Sequence, residues 1–282
     1  MKPNNLFLRE PKYFWACVRS LSQELGYSRS SNVIVPSYDD MRNAFEKLSL
    51  NPSFLILNNN PTEVAKELRE YFQYRAHVLA QKVEPLLMNA EEAKKLFEET
   101  KARLNSSCLI PMNKQKGYKR APAYLTGLVN MIIEENIQGN NCDYDPRKLT
   151  TLTKDNHPIK TFARRVDGAF PSSINPIAIW EIKEYYYATT FGSRIANGIY
   201  ETLLDGMEVE ELLEHEKIDI KHYLMVDAYS TWWKQGISYL CRMIDMLHMG
   251  YVDEILFGRE VVIELPRIVK EWYNILSSRT PK

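Results

Sequence analysis

Asp167, Glu181 and Lys183 have the residue types and the spacing for metal-assisted hydrolysis. The last two end an apolar run, Ile177-Ala178-Ile179-Trp180-Glu181-Ile182-Lys183. Side chains alternate along a strand, so Ala178, Trp180 and Ile182 share one face, and Ile177, Ile179, Glu181 and Lys183 share the other. Both faces begin apolar, which predicts a strand covered on both sides. Glu181 and Lys183 then emerge together at its end, ~7 Å apart along the backbone. Two charges in that position need partners.

Asp167 stands on the other side of a loop, Ser172-Ser173-Ile174-Asn175, bracketed by Pro171 and Pro176. A hairpin centred on Ile174 puts Asp167 opposite Glu181, with Cβ atoms ~5 Å apart. Carboxylates that close repel each other. A divalent cation relieves the conflict, and Mg²⁺ favours one or two carboxylates together with water and phosphate oxygens. The backbone carbonyl of Ile182 would lie near enough to join them. Beside such an ion, Lys183 can hold or help deprotonate an attacking water and offset charge developing on a phosphate. The chemistry implied is metal-dependent phosphodiester hydrolysis.

The elements around these residues divide the chain. Residues 1–110 read as a helical region. Ser37 caps "YDDMRNAFEKLSL", Asn60 and Pro61 open a helix running through "EVAKELREYFQYRAHV", and Asn89 caps "AEEAKKLFEETKARL". In the middle helix Arg75 occupies an otherwise apolar position. Residues 111–282 change texture. Pro122 opens the helix "AYLTGLVNMIIEEN", and "QGNNCDYDP" reads as a loop. "KLTTLT", "TFARRVDGAF" and "PIAIWEIKEYYY" read as strands, and "GSRIANGIYETLLDG" as a helix. "IKHYLMVDAY" reads as a strand, "WKQGISYLCRMIDMLHMG" as a helix and "EVVIEL" as a short last strand. A helix, three strands, a helix and a strand describe an α/β core.

The chain carries 36 basic and 36 acidic side chains. That balance argues against a histone-like, non-specific nucleic-acid binder, while leaving room for a local basic cleft. Between Met112 and Val166 ten basic residues stand against five acidic ones. Lys116, Lys119, Arg120, Arg164 and Arg165 belong to this excess and are the candidate polyanion contacts. Arg194 joins them because it begins the helix after the lysine strand, where free backbone N–H groups welcome phosphate. Solvated surface charge is the plainer reading for the cluster, and for Arg194 an ordinary exposed helix face stands level with phosphate contact. Cys17, Cys108, Cys142 and Cys241 show no metal or redox spacing and suit free thiols in a reducing cytoplasm. No apolar stretch approaches a membrane span. No phosphate-binding glycine loop is present, so no nucleotide cofactor is expected.

The pattern "VDGAF … IAIWEIK" resembles the PD-(D/E)xK nuclease superfamily, and the order of elements from about Pro122 to Leu265 resembles its αβββαβ core. Val166 stands where the superfamily motif has proline. The resemblance implies a restriction-endonuclease-like α/β fold with a mixed sheet, preceded by the helical N-terminal region. It assigns Asp167 and Glu181 as acids holding Mg²⁺, with Mn²⁺ as a substitute, and Lys183 as the catalytic lysine. Many members carry a further acid on the helix before the strands. Here helical periodicity puts Glu135 at the edge of the apolar face and Glu134 on the far side, so Glu135 is preferred. Within the superfamily the segment after Lys183 looks most like type II restriction endonucleases. These imply double-stranded DNA as substrate and a homodimer, because cutting both strands takes two sites or two successive nicks. The alternatives are a repair or RNA-processing nuclease of the same fold, and a non-catalytic DNA-binding or interaction protein whose carboxylates only pair with lysine and arginine.

Overall fold

The computed structural model describes residues 1–30, 32–114, 117 and 120–279. The N-terminal unit begins with α1 (Lys12–Leu25) and a short hairpin of β1 (Ser28–Arg29) and β2 (Asn32–Val33). α2 (Tyr38–Lys47) follows, then β3 (Ile56–Leu57), β4 (Asn60–Pro61) and α3 (Glu63–Val78). Ser37 caps α2 in a reciprocal capping box with Asp40. The cap of α3 is Thr62, not Asn60. Asn58 and Asn59 adopt left-handed backbone angles, which turn Asn60 and Pro61 back to pair with Leu57 and Ile56. Phe14, Trp15, Leu21, Phe45, Leu68 and Tyr71 close this unit around one apolar cluster.

Arg75 is the polar exception in that helix for a reason. It is buried, with Nη1 donating to both oxygens of Asp245 at 3.0 Å. Its guanidinium lies 4.8 Å from the Phe72 ring centroid. Through this pair α3 is fastened to the second unit.

That second unit starts earlier than composition suggests. α4 (Ala90–Leu104), capped by Asn89 in a second capping box, packs against α5 (Tyr124–Asn136). Gly127 permits the approach, since a Cβ there would lie 2.5 Å from Phe97. α4 therefore belongs with the sheet rather than with the helices before it.

After α5 come β5 (Asp143–Tyr144), the hairpin β6 (Thr151–Lys154) and β7 (His157–Thr161), β8 (Gly168–Phe170) and β9 (Ala178–Glu184). Then follow α6 (Ser193–Glu216), β10 (Lys221–Asp227), α7 (Ile237–His248), β11 (Glu254–Phe257) and α8 (Glu260–Arg279). Five strands form a mixed sheet in the order β11-β10-β9-β8-β5. β5, β8 and β9 are antiparallel neighbours, while β10 and β11 run parallel to β9.

The first strand of this meander is Asp143–Tyr144, inside the segment that reads as a loop. "KLTTLT" instead contributes to the separate β6–β7 hairpin. "EVVIEL" is not a strand, because it forms the start of α8. There Val261, Leu265, Ile268, Val269 and Trp272 are buried at helical spacing, and the last strand is Glu254–Phe257.

Ala178 and Trp180 of β9 join the cluster built with α4, α5 and α8. The alternate face looks toward α6, α7 and the β6–β7 hairpin. The strand is covered on both sides: of its three charged residues, Glu181 and Lys183 point to the α6 side and Glu184 to the α5 side. No helix among the described residues is long and apolar enough to cross a membrane.

Candidate active site

The β8–β9 ladder pairs Gly168 with Trp180, Ala169 with Ile179 and Phe170 with Ala178. One step beyond it, Asp167 meets Glu181. The Asp167 backbone N–H donates to Glu181 Oε1 at 3.1 Å, and the Ile182 N–H donates to Asp167 Oδ2 at 3.0 Å. The glycine after the aspartate is required here. A Cβ on Gly168 would come 2.1 Å from the Trp180 indole, which stacks on Trp272 with ring centroids 5.4 Å apart.

Lys183 Nζ lies 2.5 Å from Glu181 Oε2 and 4.0 Å from Asp167 Oδ2. Its aliphatic stem runs over Gly198 of α6, where a Cβ would stand 3.3 Å from Lys183 Cδ. Glu181 is wholly buried. Burial opposes its charge, but Lys183 and Arg164 outweigh that cost and hold the carboxyl at about 2. Burial likewise opposes the charge on Lys183, and Glu181 and Asp167 overcome it, so its pKa is raised.

Arg164 comes from the loop ahead of β8. Nη1 lies 2.9 Å from Glu181 Oε1 and 2.5 Å from Asp205 Oδ2, and Nη2 lies 3.4 Å from Glu201 Oε2. The side chain expected to reach outward to a polyanion is therefore turned inward, because three carboxylates draw it there. Asp205 is pushed up to about 8 by burial and by the Glu181 charge. Its Oδ1 is buried with no hydrogen-bond partner. On the solvent side, Lys114 Nζ bridges Asp167 Oδ1 and Asp145 Oδ1 at 3.1 Å each. Asp167 keeps 23% of its side chain exposed and is the accessible acid of the pair.

Glu135 is not brought to this cluster. α5 covers the opposite face of the sheet, and Glu135 is exposed near its far end. The α5 end that meets β9 is its N-terminus, where Leu125 and Thr126 donate backbone N–H bonds to Glu184 at 3.0 and 3.1 Å. Ten helical residues from Leu125 to Glu135 span ~15 Å. Burial raises Glu184 to about 7 despite those bonds.

Arg120, Arg165 and Arg194 are exposed and form no ion pair among the described residues. Lys116 and Lys119 lie outside the described residues. Of the three consecutive tyrosines, Tyr185 packs on Trp232 and Tyr186 donates to Asp227 at 2.6 Å, while Tyr187 is exposed.

The donor chemistry at Asp167 and Glu181 fits a hard divalent ion, since both offer carboxylate oxygens from facing positions. Those oxygens are now shared among Lys114, Arg164 and Lys183, so an ion would compete with these ammonium and guanidinium groups. No cluster of three or more His, Cys, Asp or Glu side chains arranged for a metal occurs among the described residues.

Sequence reading missed Glu201 and Asp205. Their signal is present in retrospect, because Gly198, Glu201 and Asp205 recur at helical spacing on one face of α6.

The chain belongs to a family described as a domain of unknown function, DUF7687, whose profile matches residues 88–272. A second profile, DUF7690, also described as a domain of unknown function, matches residues 1–82. The junction between them falls just before α4, in agreement with the way that helix packs. No curated protein and no solved structure matches the chain.

Proposed function

We propose that the chain is a Mg²⁺-dependent DNA endonuclease of the PD-(D/E)xK type, acting as a type II restriction endonuclease on a specific double-stranded sequence. One observation carries the reading. Asp167 and Glu181 meet across the β8–β9 pair, with the Lys183 ammonium 4.0 Å and 2.5 Å from them. The order α5, β5, β8, β9, α6, β10 supports it, being that of an αβββαβ core with an inserted hairpin.

Asp167 and Glu181 would hold the ion, joined by the Ile182 carbonyl. A bound Mg²⁺ supplies neutralisation of phosphate oxygens and acidification of water. Lys183 holds the attacking water and offers its charge to the phosphate oxygens. The stem of Lys183 is fixed between β9 and Gly198, so the ammonium is positioned before substrate arrives. Arg120, Arg165 and Arg194 are free to contact DNA phosphates, and Lys116 and Lys119 are proposed for the same task from sequence alone. Cutting both strands is best served by a homodimer.

A second reading has its own support. Glu181 is buried with both oxygens engaged by Arg164 and Lys183, which is how a structural ion pair in a non-catalytic binding protein would look. Plasmid DNA incubated with Mg²⁺ or with EDTA separates the two. Discrete fragments from the wild type with Mg²⁺, absent from Lys183→Ala and Asp167→Ala, are the expected result. Smears would point to an unspecific nuclease. Intact DNA and RNA under all conditions would leave the binding protein.

A further inference from the structure

Away from Asp167 and Glu181, the two units form between them a cavity of about 520 Å³. Arg19 and Gln23 of α1, Tyr27 beyond it, Tyr200 and Leu203 of α6, and Arg242 of α7 contribute to its walls. At about 100° per residue, Tyr200 and Leu203 lie on the side of α6 opposite Gly198, Glu201 and Asp205. The cavity is thus separate from the acid cluster.

Its charge is unbalanced. The one carboxylate in the wall, Asp245, is already engaged by Arg75 at 3.0 Å and by the Tyr71 hydroxyl at 2.6 Å. Arg19 and Arg242 form no ion pair among the described residues. The Arg242 guanidinium lies 4.0 Å from the Tyr27 ring centroid and 4.8 Å from that of Tyr239. Its Nη1 donates to the Ser238 carbonyl at 3.2 Å, which leaves the Nη2 edge without a hydrogen-bond partner among the described residues. Burial pushes the Tyr27 hydroxyl up and Asp245 adds to this, while Arg242, Arg75 and Arg19 pull the other way. Two guanidinium groups thus lie over the Tyr27 ring, Arg242 and, 5.3 Å from its centroid, Arg75, while Arg19 lines the same cavity.

We propose that this cavity binds a small phosphorylated ligand carrying a flat ring, of the mononucleotide class. The phosphate sits on Arg19 and Arg242, and the ring lies against Tyr200 and Leu203. Guanidinium forks match phosphate oxygens in pairs. The tyrosine and leucine wall removes a ring from water, which inorganic phosphate alone cannot exploit. The volume falls within the ~300–1,000 Å³ of small-ligand sites. Side chains provide every contact, so no glycine loop is needed.

The test is calorimetric titration of the full chain with AMP, CMP, GMP and UMP, with the parent nucleosides and inorganic phosphate as controls. At least one monophosphate is expected to bind, with its nucleoside and free phosphate each at least roughly tenfold weaker. Arg19→Ala and Arg242→Gln should each weaken it roughly tenfold. Leu203→Trp, which fills the cavity without changing charge, should abolish binding while circular dichroism reports a folded chain. If Leu203→Trp fails to fold, Arg19→Ala decides, because Arg19 is exposed and supports no core contact. The proposal is overturned if no monophosphate binds the folded wild type. It is equally overturned if phosphate alone binds as well, or if the folded variants bind as tightly as the wild type.

Discussion

Asp167 and Glu181 face each other one step beyond the β8–β9 ladder, and the backbone N–H of the first donates to Oε1 of the second at 3.1 Å. The two acids differ in surroundings. Glu181 is buried between two cations, whereas Asp167 is partly exposed with Lys114 at its outer oxygen. That difference separates chemistry from stability.

Asp167→Asn keeps an acceptor for the Ile182 N–H and loses the exposed Lys114 pair and the long, 4.0 Å contact with Lys183, so the melting temperature should fall by much less than in Lys183→Met. Cleavage, under the nuclease reading, should fall by ~10²-fold or more. Lys183→Met removes one of the two cations on a buried carboxylate and should cost about 3–5 kcal/mol in urea unfolding, besides abolishing cleavage. Equal loss of stability in both variants would argue that Asp167, too, is only a structural partner.

Gly168 cannot be enlarged cheaply. Alanine there places a methyl group 2.1 Å from the Trp180 indole, so either the ring leaves Trp272 or the strand moves. Gly168→Ala should destabilise by about 1–3 kcal/mol and change the tryptophan fluorescence of the native state. An unaltered emission spectrum together with unaltered stability would contradict the contact.

Arg75 and Asp245 join the N-terminal unit to α7 through a buried pair. Breaking it from either side, with Arg75→Met or Asp245→Asn, should cost about 3–5 kcal/mol. The double variant Arg75→Met/Asp245→Leu should be less destabilised than the sum of the singles, because neither charge is then left alone. Denaturant unfolding of the three variants measures the coupling.

Stability should also depend on pH through Glu184. Its carboxyl is raised from an ordinary 4.5 to about 7, mainly by burial. The folded chain therefore binds this proton more tightly than the unfolded chain does. The associated stabilisation is complete below the ordinary value and is lost as pH rises through about 7. The whole effect is on the order of 3 kcal/mol. Glu184→Gln should lessen the fall in melting temperature between those limits, at the expense of the bond from Leu125, and the remaining slope comes from Asp205 and Asp227, which burial also raises. Glu181 works in the opposite direction, since its lowered carboxyl withdraws stability only as pH falls from the ordinary 4.5 through about 2.

Short-range sequence signals carry much of this. Ser37 and Asn89 announce their helices because a cap is a contact between residues three apart in sequence. The prolines around Ser172-Ser173-Ile174-Asn175 announce a hairpin, and a hairpin fixes which residues face each other. "EVVIEL" misleads because its β-branched residues favour a strand locally, while the buried stripe from Val261 to Trp272 favours a helix and prevails. Arg75 stands out in the sequence as an exception, but its partner Asp245 lies 170 residues away.

Local order along the chain determined the capped helices α2 and α4, the two-sided strand and the meeting of Asp167 with Glu181. Each of those depends on neighbours in sequence or on a single short turn. Only the tertiary structure decided which face of the sheet each helix covers. That choice removed Glu135 from the acid cluster, turned Arg164 inward, and brought Glu201 and Asp205 alongside from α6. Side-chain burial against a distant element is set by the balance of all apolar surfaces at once, and no local pattern contains it.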